Sequence, residues 1–378
     1  MASLLLLIYA VPLMQAGLEI SRGDVPRFFS IFTRIPGQAN LRSYEHELED
    51  SSIFGKAIRP WIQYAWFTLF GYAGEEVLVG REGWLFYKAD VDYLVRSSNT
   101  EDPLPAIVDF RDQLAQRGIR LMVIPLPGKP TIYPDKLTQR VNGVLYSPTQ
   151  DLISRLRQAD VETPDFFEMF ARLRRIEGEG SCEPCYLVRD THWSGTTARL
   201  AAEGVAQRIR DLGWITQGDT RFDLVSRTVN RRGDLSRMIS IPHIESQFPD
   251  EKVVCDQVMR SSPRELYKDD PASPLLVLGD SFLRIYQTDE PRAAGFIAHL
   301  ARALQMPVAS IVNDGGASTL VRQELSRRAV LLENKKIVIW QFVERDITYG
   351  AEGWKKVALP NPESRLNLEG RLPAPTRQ

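Results

Sequence analysis

Cysteine is scarce in this chain, with three among 378 residues, too few for a disulfide framework. A second C-x-x-C to complete a four-ligand zinc site is absent. Basic runs are absent as well, and the formal net charge of −1 argues against a nucleic-acid partner. The apolar stretch that opens the chain is shorter than the roughly 20 residues needed to span a bilayer. Internal repeats and low-complexity segments are missing. Histidine is rare, with four residues (His46, His192, His243 and His299), so any general base of the usual kind must be one of these. What remains is ordinary globular composition, 43% hydrophobic and 25% charged, in a length that suits one large or two ordinary domains.

The centre of the chain is Pro274-Leu275-Leu276-Val277-Leu278-Gly279-Asp280-Ser281-Phe282. Its apolar run reads as a buried strand. Gly279 permits a sharp turn at the strand's end, which would lift Ser281 out of the sheet. The carboxyl edge of an α/β sheet is where ligands bind. A serine hydroxyl needs a base to become a nucleophile. Arg189-Asp190-Thr191-His192-Trp193-Ser194 supplies one. In an extended segment, residues two apart point the same way, so Asp190 would reach His192 and fix its tautomer. Ser281, His192 and Asp190 are therefore the candidate triad, in the order Asp, His, Ser. His243 follows Pro242 in a polar stretch and has no such aspartate. His46 lies in the acidic patch Tyr44-Glu45-His46-Glu47-Leu48-Glu49-Asp50, a solvated face. His299 reads as a helix-face residue.

Around these motifs, helices are expected over residues 106–117, 148–159 (capped by Ser147, with Pro148 in the first turn), 195–211 (capped by Ser194), 291–304 and 318–332. Strands are expected over 119–125, 161–166, 274–279, 307–312 and 336–340. This alternation indicates an α/β fold, a parallel sheet flanked by helices. Residues 214–273 are polar and read as an inserted β-rich segment of short strands and loops, a lid or a substrate wall.

Gly279-Asp280-Ser281-Phe282 resembles the nucleophile block of SGNH hydrolases, and Asp190-Thr191-His192-Trp193 resembles the Asp-x-His-Trp signature of alginate O-acetyltransferases of the AlgJ/AlgX type. Gly80-Arg81-Glu82-Gly83-Trp84-Leu85-Phe86-Tyr87 is similar to the early Gly-x-x-Gly-Trp-Leu-Phe element of that family, and Ile339-Trp340-Gln341-Phe342-Val343-Glu344-Arg345 to its last strand. Lys129 resembles a Pro-x-Lys of the same family, although a solvent-exposed loop lysine is the default expectation. The resemblance spans about Val77 to Arg345 and implies a circularly permuted SGNH/flavodoxin-like three-layer sandwich. It implies an O-acetyltransferase that modifies an extracytoplasmic polysaccharide through an acetyl-serine, with acetyl groups supplied by a membrane-bound O-acyltransferase partner. It implies neither metal nor cofactor. An esterase of the same fold and a non-catalytic polysaccharide-binding scaffold are the alternatives.

Oxyanion donors are expected from the backbone N–H of Ser281 or Phe282 and from Gly315 and Gly316, with Asn313, Trp340, Gln341 and Arg345 in the region where the SGNH asparagine block lies. Trp193 and Trp340 are candidate sugar-stacking walls. Arg284 and Tyr286 are candidates to face an anionic sugar. Cys182-Glu183-Pro184-Cys185 reads as a local disulfide, free thiols or a metal half-site. Residues 1–17 read as a signal-like or membrane-anchor segment, with an ordinary buried helix as the alternative; that places the protein in the periplasm or at the outer face of the inner membrane. Residues 18–80 form a helical N-terminal region, 81–350 the catalytic domain, and 351–378 a loose tail. Within the N-terminal region, Pro60 to Phe70 is rich in aromatics and reads as a packed helix, a membrane-leaning surface or a partner face.

Overall fold

A computed structural model describes residues 13–24, 26, 42, 53–95, 101–177, 183–239, 241 and 244–360. His46, Cys182, His243, most of the signal-like segment and the tail beyond 360 lie outside these residues. The chain divides into two compact units, Met1–Glu75 with Ile239–Gln247, and Glu76–Met238 with Phe248–Gln378. In the first unit, the helix Ile53–Phe70 exposes Trp61, Ile62, Trp66, Leu69 and Phe70. Among the described residues no helix is long and apolar enough to cross a membrane.

The second unit opens with a short antiparallel pair, β1 (Val77–Val79) and β2 (Leu85–Tyr87). Its main sheet contains β3 (Arg120–Leu126), β7 (Leu275–Gly279), β8 (Ala309–Val312) and β9 (Ile337–Val343), in the spatial order β3-β9-β7-β8, all parallel. A single parallel bridge from Met122 to Glu162 extends it beyond β3. That bridge is all that forms of the strand expected over 161–166. Every residue of β7 and β9 is buried, as required of parallel strands covered on both faces.

Side-chain parity sorts the two covering layers. Met122, Ile124, Leu275, Val277, Ile337 and Ile339 face the helices Phe166–Ile176, Gly195–Asp211 and Phe296–Leu304. Leu121, Val123, Leu276, Leu278, Val338 and Trp340 face Leu104–Ala115, Pro148–Gln158 and Leu320–Arg327. The expected caps are in place. Ser147 forms a capping box with Gln150, and the Ser194 side chain accepts the Thr197 N–H. The helix expected from 291 begins at Phe296, because Arg292 and Ala293 adopt positive φ values of 68° and 49° and break the helical path.

Starting at β7 and running through β8, β9, β3 and the Glu162 bridge, the spatial order is 2-1-3-4-5. That is a doubly wound order whose ligand crevice lies where strand order reverses, between its first and third strands. Here those strands are β7 and β9, and Ser281 follows β7. The residues between 214 and 273 contain a separate antiparallel sheet, β4 (Phe222–Arg231), β5 (Glu251–Arg260) and β6 (Glu265–Leu266).

Gly279 is needed for closeness rather than for a turn. A Cβ there would lie 2.4 Å from Gln341 Oε1 and 2.6 Å from Leu283 Cδ1. Gly279→Ala should therefore lower stability by about 1–3 kcal/mol through overpacking. Urea denaturation of the variant measures this, and an unshifted midpoint would refute the close-packing account.

Candidate active site

Asp190 and His192 lie on a tight loop closed by an antiparallel bridge between Tyr186 and Trp193. The expected extended geometry is replaced by a turn. Asp190 Oδ1 accepts both the His192 backbone N–H at 3.1 Å and His192 Nδ1–H at 2.6 Å. Aspartate commonly bonds backbone two residues ahead in this way. Spacing of two thus brings the pair together by a different route.

Five of the six backbone N–H groups of residues 187–192 have a fixed partner, His192 N–H being bonded to Asp190. Leu187 N–H donates to His192 O at 3.1 Å. Glu251, at the start of β5, accepts the N–H groups of Val188 and Arg189 at 2.8 and 2.6 Å. Asp234 Oδ1 accepts the Thr191 N–H at 2.8 Å. Lys129 Nζ donates to the carbonyls of Leu85, Val188 and Asp190 at 2.6, 2.8 and 3.1 Å. The ammonium lies 5.0 Å from the Trp84 ring centre and 5.2 Å from that of Phe86. Burial pushes the Lys129 pKa down to about 7. A cation at this site ties the early Trp-Leu-Phe element to the histidine loop.

Ser281 opens a single helical turn, Ser281–Arg284, capped by the Asp280 carboxylate. Its Oγ lies 2.8 Å from His192 Nε2. With Nδ1–H donated to Asp190, Nε2 is the free base nitrogen facing the hydroxyl. The structure therefore brings Ser281, His192 and Asp190 into one hydrogen-bonded line, with His192 and Asp190 buried and Ser281 partly open. Burial alone would raise the Asp190 carboxyl, but His192 and the Arg231 guanidinium outweigh it and hold it far below the usual carboxylate range. Burial works against the His192 imidazolium, yet Asp190 and then Asp234 raise its pKa above the ordinary value.

Arg231, Asp234 and Glu251 come from the polar stretch after residue 214, and sequence reasoning missed all three. Arg231 Nε donates to Asp190 Oδ2 at 2.9 Å. Asp234 Oδ2 lies 3.4 Å from His192 Nδ1 and accepts the Thr191 hydroxyl. Gly233 allows this approach, since a Cβ there would lie 2.0 Å from Arg189 O. The one sequence signal was the charged cluster Arg231-Arg232-Gly233-Asp234, which carries no period or spacing rule. Asp190, His192 and Asp234 are also the one grouping of potential metal ligands among the described residues. The Arg231 guanidinium bonded to Asp190 opposes a cation there.

A cleft of about 460 Å3 contains Ser281, His192, Asp234, Arg284, Gly315 and Arg345. Phe282 N–H, a candidate oxyanion donor, is committed to Asp280 Oδ1 at 2.8 Å. Gly316 N–H is committed to Asn313 O at 3.1 Å. Among the described residues, the N–H groups of Ser281 and Gly315 have no acceptor. Arg345 enters the cleft and pairs with Asp90 at 3.0 Å. Burial and the neighbouring Asp280 push the Asp346 carboxyl beside it up to about 8.

Other candidates fall elsewhere. Trp340 is fully buried on the far side of the sheet, its indole N–H bonded to Ala317 O at 2.7 Å, so it cannot stack on a sugar. Trp193 is buried against Phe296 with ring centres 5.8 Å apart. Tyr286 is buried, with φ of 60° and its hydroxyl on Trp193 O at 3.1 Å, and it faces no solvent. Gln341 is buried against Gly279, and Asn313 lines a neighbouring cleft rather than this one. Cys185 is a buried free thiol, and burial pushes its pKa above the ordinary range. His299 is buried in the helix Phe296–Leu304, where loss of solvation and the nearby Arg199 and Arg302 depress its pKa to about 3.

The geometry predicts that His192 titrates above the roughly 6.5 of a free imidazole. Asp234→Asn should lower its midpoint, since one carboxylate that stabilises the imidazolium is removed. Titration of the imidazole by NMR reads this directly, and an unmoved midpoint would remove Asp234 from the account.

Comparison with known proteins agrees with the topology. Residues 77–344 match the family described as SGNH hydrolase-like domain, acetyltransferase AlgX. The probable alginate O-acetylase AlgJ of Pseudomonas aeruginosa is 23% identical over 294 residues, covering 74% of this chain and 72% of that protein. Its counterpart in Azotobacter vinelandii is 25% identical over 297 residues, covering 74% and 71%. The solved O-acetyltransferase domain of Pseudomonas putida AlgJ shares the fold, with a TM-score of 0.54 and 21% identity, over 78% of this chain and 98% of that one. The chain belongs to the SGNH hydrolase-like acetyltransferase family of AlgX.

Proposed function

We propose that this member of the acetyltransferase family works through an acetyl-enzyme on Ser281 and transfers the acetyl group to a hydroxyl of an acidic polysaccharide of the alginate class. The observation that carries the proposal is the line Ser281 Oγ–His192 Nε2 and His192 Nδ1–Asp190 Oδ1, with heavy-atom distances of 2.8 and 2.6 Å, at the floor of a cleft. Ser281 Oγ attacks the acetyl carbonyl as His192 Nε2 takes its proton. The imidazolium is held by Asp190, with Asp234 adding a second negative charge. The N–H groups of Ser281 and Gly315 are the donors available to the oxyanion, and such a donor is typically worth about 10²–10³ in rate. Collapse breaks the bond to the donor's leaving oxygen, which receives the proton from His192. The acceptor hydroxyl then loses its proton to His192 and attacks the acetyl-serine, and Ser281 is regenerated. Water in the acceptor's place makes the same cycle an esterase.

The acidic acceptor is supported by relatives named alginate O-acetylase. The proposed setting is extracytoplasmic, with acetyl groups arriving from a membrane-bound O-acyltransferase. The apolar opening of the chain and the exposed Trp61, Trp66, Leu69 and Phe70 support a membrane-side location.

Intact-mass spectrometry after incubation with an activated acetyl ester tests the chemistry. The expected result is one acetyl adduct on the Ser281 peptide, absent from Ser281→Ala and His192→Ala, with turnover reduced by about 10⁴-fold or more in each. Folded wild type that forms no adduct and releases no acetate across several donors would overturn it. Turnover should also decline as pH falls through the raised His192 pKa, because only the neutral imidazole accepts the Ser281 proton. An acid limb centred below the free-imidazole value would contradict that assignment.

A further inference from the structure

Asp190 is not the last carboxylate in the line that begins at Ser281. Arg231, whose Nε donates to Asp190 Oδ2 at 2.9 Å, places its Nη1 3.5 Å from Asp289 Oδ2. Asp289 Oδ1 accepts a hydrogen bond from Arg284 Nη1. Arg284 ends the helical turn Ser281–Arg284, which is closed by the Ile285 N–H on Ser281 O at 2.9 Å. The path from Ser281 through His192, Asp190, Arg231, Asp289 and Arg284 therefore returns to the turn on which it began. Its charged members alternate in sign along the whole way. The segment that carries Asp289 is fastened to β5: Gln257 Nε2 donates to Pro291 O at 2.6 Å and to Arg292 O at 3.2 Å, and the Val258 N–H donates to Ala293 O at 2.7 Å. β5 pairs with β4, which ends at Arg231, so both ends of the Arg231–Asp289 pair are held by one sheet.

We infer that Asp289 is a positioning residue for the second half of the reaction, holding His192 over Ser281 once the hydrogen bond between them is gone. The inference rests on the acetyl-enzyme reading given above. Acetylation replaces the hydroxyl hydrogen of Ser281 with the acetyl carbon, so Oγ no longer has a proton to donate to His192 Nε2. In that state the serine–histidine bond cannot set the distance. The Phe282 ring still packs on the imidazole, but an apolar contact of this kind is not directional. The charged path through Asp190, Arg231, Asp289 and Arg284 is directional, and the chemistry leaves it untouched. In deacetylation the incoming hydroxyl gives its proton to His192 Nε2 while its oxygen bonds to the acetyl carbon. Oγ then leaves and takes the proton back from His192. Both transfers need the imidazole in place, and a misplacement of about 1 Å can cost about 10²-fold in rate.

Pre-steady-state hydrolysis of an activated aryl acetate separates the two halves. The burst reports acetylation, and the lifetime of the adduct by intact mass reports deacetylation by water. Asp289→Asn should keep the burst rate within about threefold and slow deacetylation by about tenfold or more, so that the acetyl-enzyme accumulates. Arg231 and Arg284 keep Asp190 and Asp314 as partners, so the variant is expected to fold. Arg284→Gln cuts the same bridge at its other end and should give the same defect, with the double variant no slower than the slower single one. Glu290→Gln, which removes an exposed charge beside Asp289, should match wild type. Wild-type deacetylation in Asp289→Asn, additive effects of the two substitutions, or loss of both halves together with a lowered melting temperature would overturn the positioning role. Wild type that forms no adduct would overturn the acetyl-enzyme and this role with it, whereas an adduct of unchanged lifetime in Asp289→Asn removes Asp289 alone.

Discussion

Asp190 is a charged carboxylate with no exposure to water, and the arrangement around it follows from that constraint. An ion in the interior must be paired and fully hydrogen-bonded, or it neutralises. One oxygen is satisfied by His192, backbone and ring, and the other by Arg231. The positive partner is supplied from the end of β4, more than 40 residues further along the chain by the separation of 190 and 231. The separate antiparallel sheet is thus a clamp. Its strand ends deliver Arg231 to the carboxylate and Glu251 to the loop backbone, and the short helix Asp234–Met238 that follows β4 brings Asp234 to the imidazole. Removing one partner of such a buried pair commonly costs about 3–5 kcal/mol, so stability and the readiness of the base depend on the same contacts.

Lys129 performs the corresponding task from the opposite side. Its three carbonyl acceptors belong to β2 and to the histidine loop, and the Trp84 and Phe86 rings sit against its charge. Four separate regions of sequence therefore converge on one loop of six residues, 187–192. Ser281 arrives independently at the end of β7, and the next residue, Phe282, packs against the histidine loop with its ring centre 4.9 Å from that of His192.

Much of this was legible. A buried apolar run ending in Gly-Asp-Ser pointed to Ser281, and a rare histidine with an aspartate two residues before it pointed to His192 and Asp190, which the fold brings within hydrogen-bond distance of one another. Alternating periodicities indicated the parallel sheet. The aromatic neighbours of these motifs were less readable. Trp340 and Tyr286 stand close in sequence to site residues, yet parity on β9 turns Trp340 to the far face and the turn after Arg284 buries Tyr286. Proximity in sequence says nothing about which side of a sheet a ring occupies. Arg231, Asp234 and Glu251 were hidden for a different reason. Their partners are a backbone turn and a carboxylate that only the folded loop presents, and charged residues in a polar stretch read as solvated surface.

The strand order carries one more consequence. β9 is the last strand among the described residues, and it lies between β3 and β7, pairing with both. Until residue 343 has been synthesised, β3 and β7 have no common neighbour, and each presents an unpaired inner edge. The sheet is completed by insertion into its middle rather than by growth at its rim. A chain cut between Ser281 and β9 would hold every member of the Ser-His-Asp line without the strand that lies between β3 and β7, and would leave two open edges suited to pairing with other chains.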